Sequence, residues 1–162
     1  MNKKIETAFN QQINAELYSA YMYLSMSAWF ESQNLKGMAH WMRAQAAEEQ
    51  NHARKFYDFI HDRGGRVKLA KIDAPPADWA SPAAVFKDAY KHECKVSALI
   101  HDLVELAAKE KDYPAANFLQ WFVSEQVEEE ANAAQIADKL SAVGDNKGLL
   151  FMFDAELGKR GG

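Results

Sequence analysis

The sequence predicts an all-α protein: an up-down-down-up four-helix bundle with one long crossover and a short fifth C-terminal helix. Three observations carry this. The four prolines and eight glycines fall almost entirely between long stretches rich in Ala, Leu, Met, Glu, Lys and Gln, so they punctuate helices rather than interrupt them. Four of those stretches show apolar residues at alternating steps of three and four, the spacing that keeps one stripe facing a bundle core. One connection only, "GGRVKLAKIDAPPADWASP", is long and without helical period.

The first helix is expected over residues 5–33, and Asn34 separates it from a second over 35–62 that ends before Gly64-Gly65. So short a turn makes the two an antiparallel hairpin. The long connection closes on Ser81 as N-cap and Pro82 as first helical residue of a third helix, 82–109. A fourth, 112–140, has Pro114 in its first turn and stops before Gly144; the fifth spans 147–157. Extended chain covers about 3.3 Å per residue, so the connection is long enough to return along a whole helix and set the second and third helices parallel.

At 162 residues, 48% of them hydrophobic and 26% charged, the chain is sized for a single domain over 1–162 with a substantial core. Its net charge of −4, with no run of Lys or Arg, argues against nucleic acid or an anionic membrane surface as partner. There is no apolar span of membrane length, the start "MNKKIETAFNQQ" is too polar for a signal peptide, and a single cysteine, Cys94, suits a reducing compartment. A cytoplasmic protein is expected.

The seams are not purely apolar. The second helix reads Met38, Met42, Gln45, Glu49, His52, Phe56 and Phe59; the first has Glu16 between Ile13 and Ala20; the third has Glu93 between Ala89 and Val96. The fourth reads Phe118, Phe122, Glu125, Glu129, Asn132, Ile136 and Leu140. Counted from a common end of an up-down-down-up bundle, all these acids and His52 fall within a slab about 10 Å thick at 1.5 Å per residue. Unpaired carboxylates are costly to bury ionised, and no Lys or Arg lies in any seam at that height, so a cation is expected there. Oxygen ligands with one imidazole suit divalent iron, manganese or zinc, and so many anionic ligands suit two ions. Glu49-x-x-His52 is the most specific element, because its spacing aims both side chains at one point. On the residues alone, a metal-free structural bundle and a di-metal enzyme acting on an organic substrate remain open.

"NAELYSAYMYLSMSAWF" (14–30), "NLKGMAHWMRAQAAEEQNHARKFYDFI" (34–60), "KHECK" (91–95) and "WFVSEQVEEE" (121–130) resemble the landmarks of bacterial non-haem ferritins. The resemblance covers essentially the whole chain and implies a ferritin-like bundle. By it, Glu16, Glu49 and His52 would hold one iron and Glu49, Glu93 and Glu129 a second. Gln126 would lie beside the pair. Glu48, Glu125 and Glu128, with Glu129 shared, would form a third iron site. Tyr23, two turns from Glu16 on the same face, would donate to a ligand or supply an electron. The fourth helix offers no second histidine, which resembles ferritins proper rather than bacterioferritins or rubrerythrins, and Gln50 stands where a haem-ligating methionine would, so no haem is expected. The family implies ferroxidase activity on Fe(II) with dioxygen and storage of Fe(III) as a mineral inside a hollow shell of 24 identical subunits. The residues support assembly independently, since "LLFMF" in the fifth helix has more apolar positions than one terminal helix can hide.

Overall fold

The computed structural model describes residues 1–161. Five helices form: α1 (Lys3–Ser32), α2 (Lys36–Asp62), α3 (Pro82–Lys109), α4 (Tyr113–Val143) and α5 (Lys147–Leu157). Differences from the sequence boundaries have local causes. α1 starts earlier because the Asn2 side chain accepts from the backbone N–H groups of Lys4 and Ile5, satisfying donors that an uncapped start would leave unpaired. α4 begins one residue later because Asp112 is its N-cap, accepting from Ala115 N while its carboxylate also receives Arg63 Nη1 at 2.9 Å. α4 then continues to Val143 and closes on Gly144, whose φ of 54° lies in the left-handed region.

Direction is fixed by which ends meet. The start of α1 reaches the end of α3 through Asn2 Nδ2 and Lys4 Nζ, both 3.0 Å from the Glu110 carboxylate. The other ends meet through Phe30 and Phe86, rings 5.8 Å apart, so α1 and α3 are antiparallel. Trp41, early in α2, lies 5.3 Å from the same Phe86 ring, which sets α2 parallel to α3. Phe59, late in α2, stacks at 4.3 Å on Phe118, early in α4. The order is therefore up, down, down, up.

The crossover is laid along α1 by side chains that serve its backbone. Asn10 donates to Arg66 O and accepts from Lys68 N, Asn14 donates to Lys71 O at 3.0 Å, and Ser25 Oγ donates to Pro76 O at 2.6 Å. As α1 ascends from Asn10 to Ser25, the connection ascends from Arg66 to Pro76, which carries the chain back to the end where α3 starts.

α5 docks by a capping exchange. Leu35, the residue before α2, has no side chain able to cap; the Asp154 carboxylate of α5 instead accepts from Met38 N at 2.8 Å and Gly37 N at 3.2 Å. The approach is close enough that a Cβ on Gly37 would meet Asp154 O at 1.8 Å.

The buried interior divides in two. One apolar cluster contains Met26, Phe30, Met38, Met42, Phe86 and Leu140; the other contains Ile5, Phe9, Phe56, Ile60, Ile100, Leu119 and Phe122. Between them lies a layer of buried polar side chains: Gln12, Glu16, Ser19, Gln45, Glu49, His52, Glu93, Ser97, Gln126 and Glu129.

Candidate metal centre

Each long helix delivers its residues to this layer from its middle, where backbone N–H and C=O groups are already paired and only side chains are free to face inward. Glu16 on α1 is 1% exposed, Glu49 on α2 2%, Glu93 on α3 1% and Glu129 on α4 6%; His52 is 3% exposed. The ligand atoms of Glu16, Glu49 and His52 lie within 4.8 Å of one another, as do those of Glu49, Glu93 and Glu129. Glu49 belongs to both groups, so its carboxylate is shared by the two candidate ligand sets. His52 Nδ1 is 3.0 Å from Glu49 Oε2 and 3.8 Å from Glu16 Oε2. The His52 ring is walled edge-on by Trp121 and Phe122, at 5.5 and 5.8 Å.

Three glutamine amides orient these carboxylates. Gln12 Nε2 donates to Glu16 Oε1 at 3.0 Å; Gln45 Nε2 donates to Glu129 Oε2 at 2.5 Å and to Glu49 Oε1 at 3.4 Å. Gln126 Nε2 lies 3.1 Å from Glu93 Oε2 and 3.2 Å from Ser97 Oγ. Tyr23 OH donates to Glu93 Oε1 at 2.5 Å. Burial pushes the Tyr23 hydroxyl well above its ordinary value, with the Glu93 charge acting in the same direction, so it stays protonated and donating. Amide and phenol donors supply no positive charge. Glu16 Oε2 has no hydrogen-bond partner at all, alone among buried side-chain oxygens and nitrogens of the described residues. An orphaned carboxylate oxygen facing an imidazole nitrogen and a second carboxylate fits a cation.

The electrostatics agree. Burial raises Glu49 well above the ordinary carboxylate range, and the neighbouring charges of Glu93, Glu16 and Glu129 add to it; burial likewise raises Glu16 and Glu93. Glu129 is pushed up to about 8, by burial first and then by Glu93. Burial also lowers His52, favouring the neutral imidazole that ligates metals. A carboxyl raised in this way holds its proton more tightly, and a divalent ion binding there would displace it.

The expected third group assembles differently. Glu125 is half-buried and lies with its Oε1 3.9 Å from His52 Nε2, and His52, Glu125 and Glu129 bring ligand atoms within 4.8 Å of one another. Glu48 and Glu128 join none of these groups among the described residues. Glu128 is exposed, one position off the inward stripe of α4, and Glu48 pairs with Arg160 at 3.0 Å. The α4 stripe keeps Phe122, Glu129, Ile136 and Leu140 as its sequence assignment expects, and departs from it by one residue at the positions between. Gln126 and Ala133 are buried where Glu125 and Asn132 were expected, because the seam turns with the 3.6-residue period and the apolar positions fit both registers. Trp121 does not enter the core: it is 42% exposed, with the Lys55 ammonium 4.2 Å from its ring centroid. Sequence reasoning missed Gln12 and the contacts of Gln45, although each precedes its carboxylate by four residues, the spacing that stacks side chains on one helix face. It missed Arg160 altogether.

Fold and buried acids together define a class: a four-helix bundle with a carboxylate and histidine centre contributed by all four helices. The family model for the Ferritin-like domain matches residues 6–143. A bacterial non-heme ferritin of Bacteroides fragilis (strain 638R) is 46% identical over 99% of this chain and 99% of its own. One from Staphylococcus aureus (strain MRSA252) is 36% identical over 99% and 96%. Among solved structures, an open pore ferritin from the hyperthermophilic archaeon Archaeoglobus fulgidus superposes with a TM-score of 0.98 at 52% identity, covering 99% of each chain. A closed form engineered from that archaeal ferritin superposes equally well, at 51% identity and with 99% of this chain covered. The chain belongs to the ferritin family. No helix among the described residues is long and apolar enough to cross a membrane.

Proposed function

We propose that this protein is an iron-storage ferritin that oxidises Fe(II) with dioxygen at the paired positions and stores Fe(III) as a mineral within a hollow shell of 24 copies. The observation that supports the reading is the membership of Glu49 in two ligand groups within a buried layer of carboxylates. Iron is the substrate. Glu16, Glu49 and His52 would take one Fe(II), and Glu49, Glu93 and Glu129 the other, losing their protons as the ions arrive. Anionic oxygens stabilise Fe(III) over Fe(II), so the site favours electron transfer to dioxygen; each iron gives one electron and dioxygen accepts two. Tyr23 and Gln126 hold Glu93 in place during that change of charge. Glu125, facing the outer nitrogen of His52, would serve a further ion beside the pair.

Anaerobic Fe(II) titration followed by air exposure tests this. Two Fe(II) per subunit should bind tightly and oxidise rapidly on mixing with oxygen. Glu49→Ala combined with His52→Ala removes the shared ligand and the one imidazole; it should leave a folded assembly and abolish the rapid phase. An unchanged initial rate would sink the assignment. Glu125→Ala should keep the first two-iron phase and alter later turnover.

A further inference from the structure

The amide of Gln45 has ends of opposite polarity. Nε2 faces the Glu129 and Glu49 carboxylates, and a flipped amide would set its own oxygen against theirs. The opposite end is held from outside the bundle. Arg160 Nη2 donates to Gln45 Oε1 at 2.9 Å, and since a guanidinium has no acceptor atom, only Oε1 can face it.

Arg160 comes from the tail beyond α5 and is itself built in. Its carbonyl is 2.7 Å from His40 Nε2, its Nη1 donates to Trp41 O at 3.1 Å, and its guanidinium lies 4.4 Å from the centroid of the Trp41 ring. Nη2 also pairs with Glu48 Oε1 at 3.0 Å, and the side chain is 19% exposed. Trp41, Gln45 and Glu48 are spaced four and three apart, so one stripe of α2 receives the whole fork.

We propose that Arg160 is a positioning residue of the metal centre, which by holding Gln45 Oε1 keeps Gln45 Nε2 turned to Glu129 and Glu49 and so fixes the orientation of both carboxylates. This rests on the iron site proposed above. It makes the C-terminal tail part of the centre's support, placed there by the docking of α5 on the start of α2. Outer hydrogen-bond partners of ligating groups typically change metal affinity by about 10–100-fold.

The test uses the full-length, assembled, metal-free protein titrated anaerobically with Co(II), a probe that reports affinity and ligand geometry through its visible absorption and needs no turnover. Wild type, Arg160→Met, Gln45→Leu and the double variant form a cycle. Arg160→Met should weaken Co(II) binding about tenfold and shift the visible band, Gln45→Leu should do the same, and the double variant should lose no more than Gln45→Leu alone. Arg160→Met binding Co(II) within about twofold of wild type with an unmoved band overturns the proposal. So does a loss that repeats in full on the Gln45→Leu background, the signature of a tail contact that matters only for packing. Should Arg160→Met fail to assemble, Arg160→Lys enters the same cycle: it keeps the charge and the stem over Trp41 but cannot fork, and its smaller loss should again vanish when Gln45 is leucine. A wild type that takes up neither Co(II) nor Fe(II) removes the proposed function itself, whereas a wild type that binds both while the variants behave additively removes only the role of Arg160.

Discussion

Glu129 shows what four carboxylates and one imidazole cost a core when no cation is present. A carboxyl whose folded value is raised holds its proton more tightly in the folded protein than in the unfolded one. Its contribution to stability is therefore full below the ordinary value of 4.5 and is lost as pH rises through about 8. The metal-free protein should melt at progressively lower temperature between those two pH values. Glu129→Gln, which keeps the shape and removes the titration, should flatten that decline and melt above wild type at pH 8 in circular dichroism scans. A wild type whose melting point is level across the interval would mean the layer carries no such burden. Fe(II) at saturating concentration should reverse the effect, since a ligand bound only by the folded state stabilises it. At this scale the sequence reveals Glu16, Glu49, His52, Glu93 and Glu129 through their common height. It leaves Glu125 and Gln126 indistinguishable, because adjacent positions of one helix differ only in which way the finished bundle turns them.

Among the elements, α5 and the turn between α3 and α4 are the informative cases. A Cβ on Gly37 would meet the backbone of Asp154 at 1.8 Å, and no side-chain rearrangement can relieve a clash with a carbonyl. Gly37→Ala should therefore lift α5 from the start of α2 and loosen the already exposed Gly144–Asn146 linker. Limited proteolysis should cut there faster than in wild type; unchanged protection would show that α5 is held by something other than this approach. Lys111 presents the opposite opportunity. It sits at φ 54° between α3 and α4, a left-handed conformation that costs an ordinary residue about 1–2 kcal/mol and glycine nothing sterically. After the extra unfolded-state entropy of glycine, Lys111→Gly should stabilise by about 0.5–1 kcal/mol, read as a raised thermal midpoint. The helices themselves were legible from period and punctuation, and Ser81, expected as a cap, accepts from Ala84 N.

For the molecule as a whole, the apolar surface that no part of the protomer covers decides the expectation of assembly. Phe151 is 56% exposed, Met152 70% and Leu149 47%, on a helix whose own buried residues are Phe153 and Leu157. A lone helix with that distribution presents a second apolar face that the protomer leaves open to another copy. Phe151→Glu together with Met152→Glu removes that face without touching the protomer's core. It should leave helical content intact and convert the proposed shell to smaller species in sedimentation velocity runs. Retention of the full-size particle would place the assembly contacts elsewhere.

The sequence by itself determined the helix count, the direction of the chain through the bundle and the carboxylate layer, because helical period, capping chemistry and the reach of a long connection are local or additive properties. Tertiary structure alone decided which of two adjacent α4 residues faces inward, that Glu48 is engaged by a cation, and that the tail of the chain supports Gln45. Those depend on the rotation of packed helices and on where α5 comes to rest. Arg160 stands far from Gln45 and Glu48 along the chain, and no spacing rule joins them until Asp154 caps α2 and brings the tail across its face.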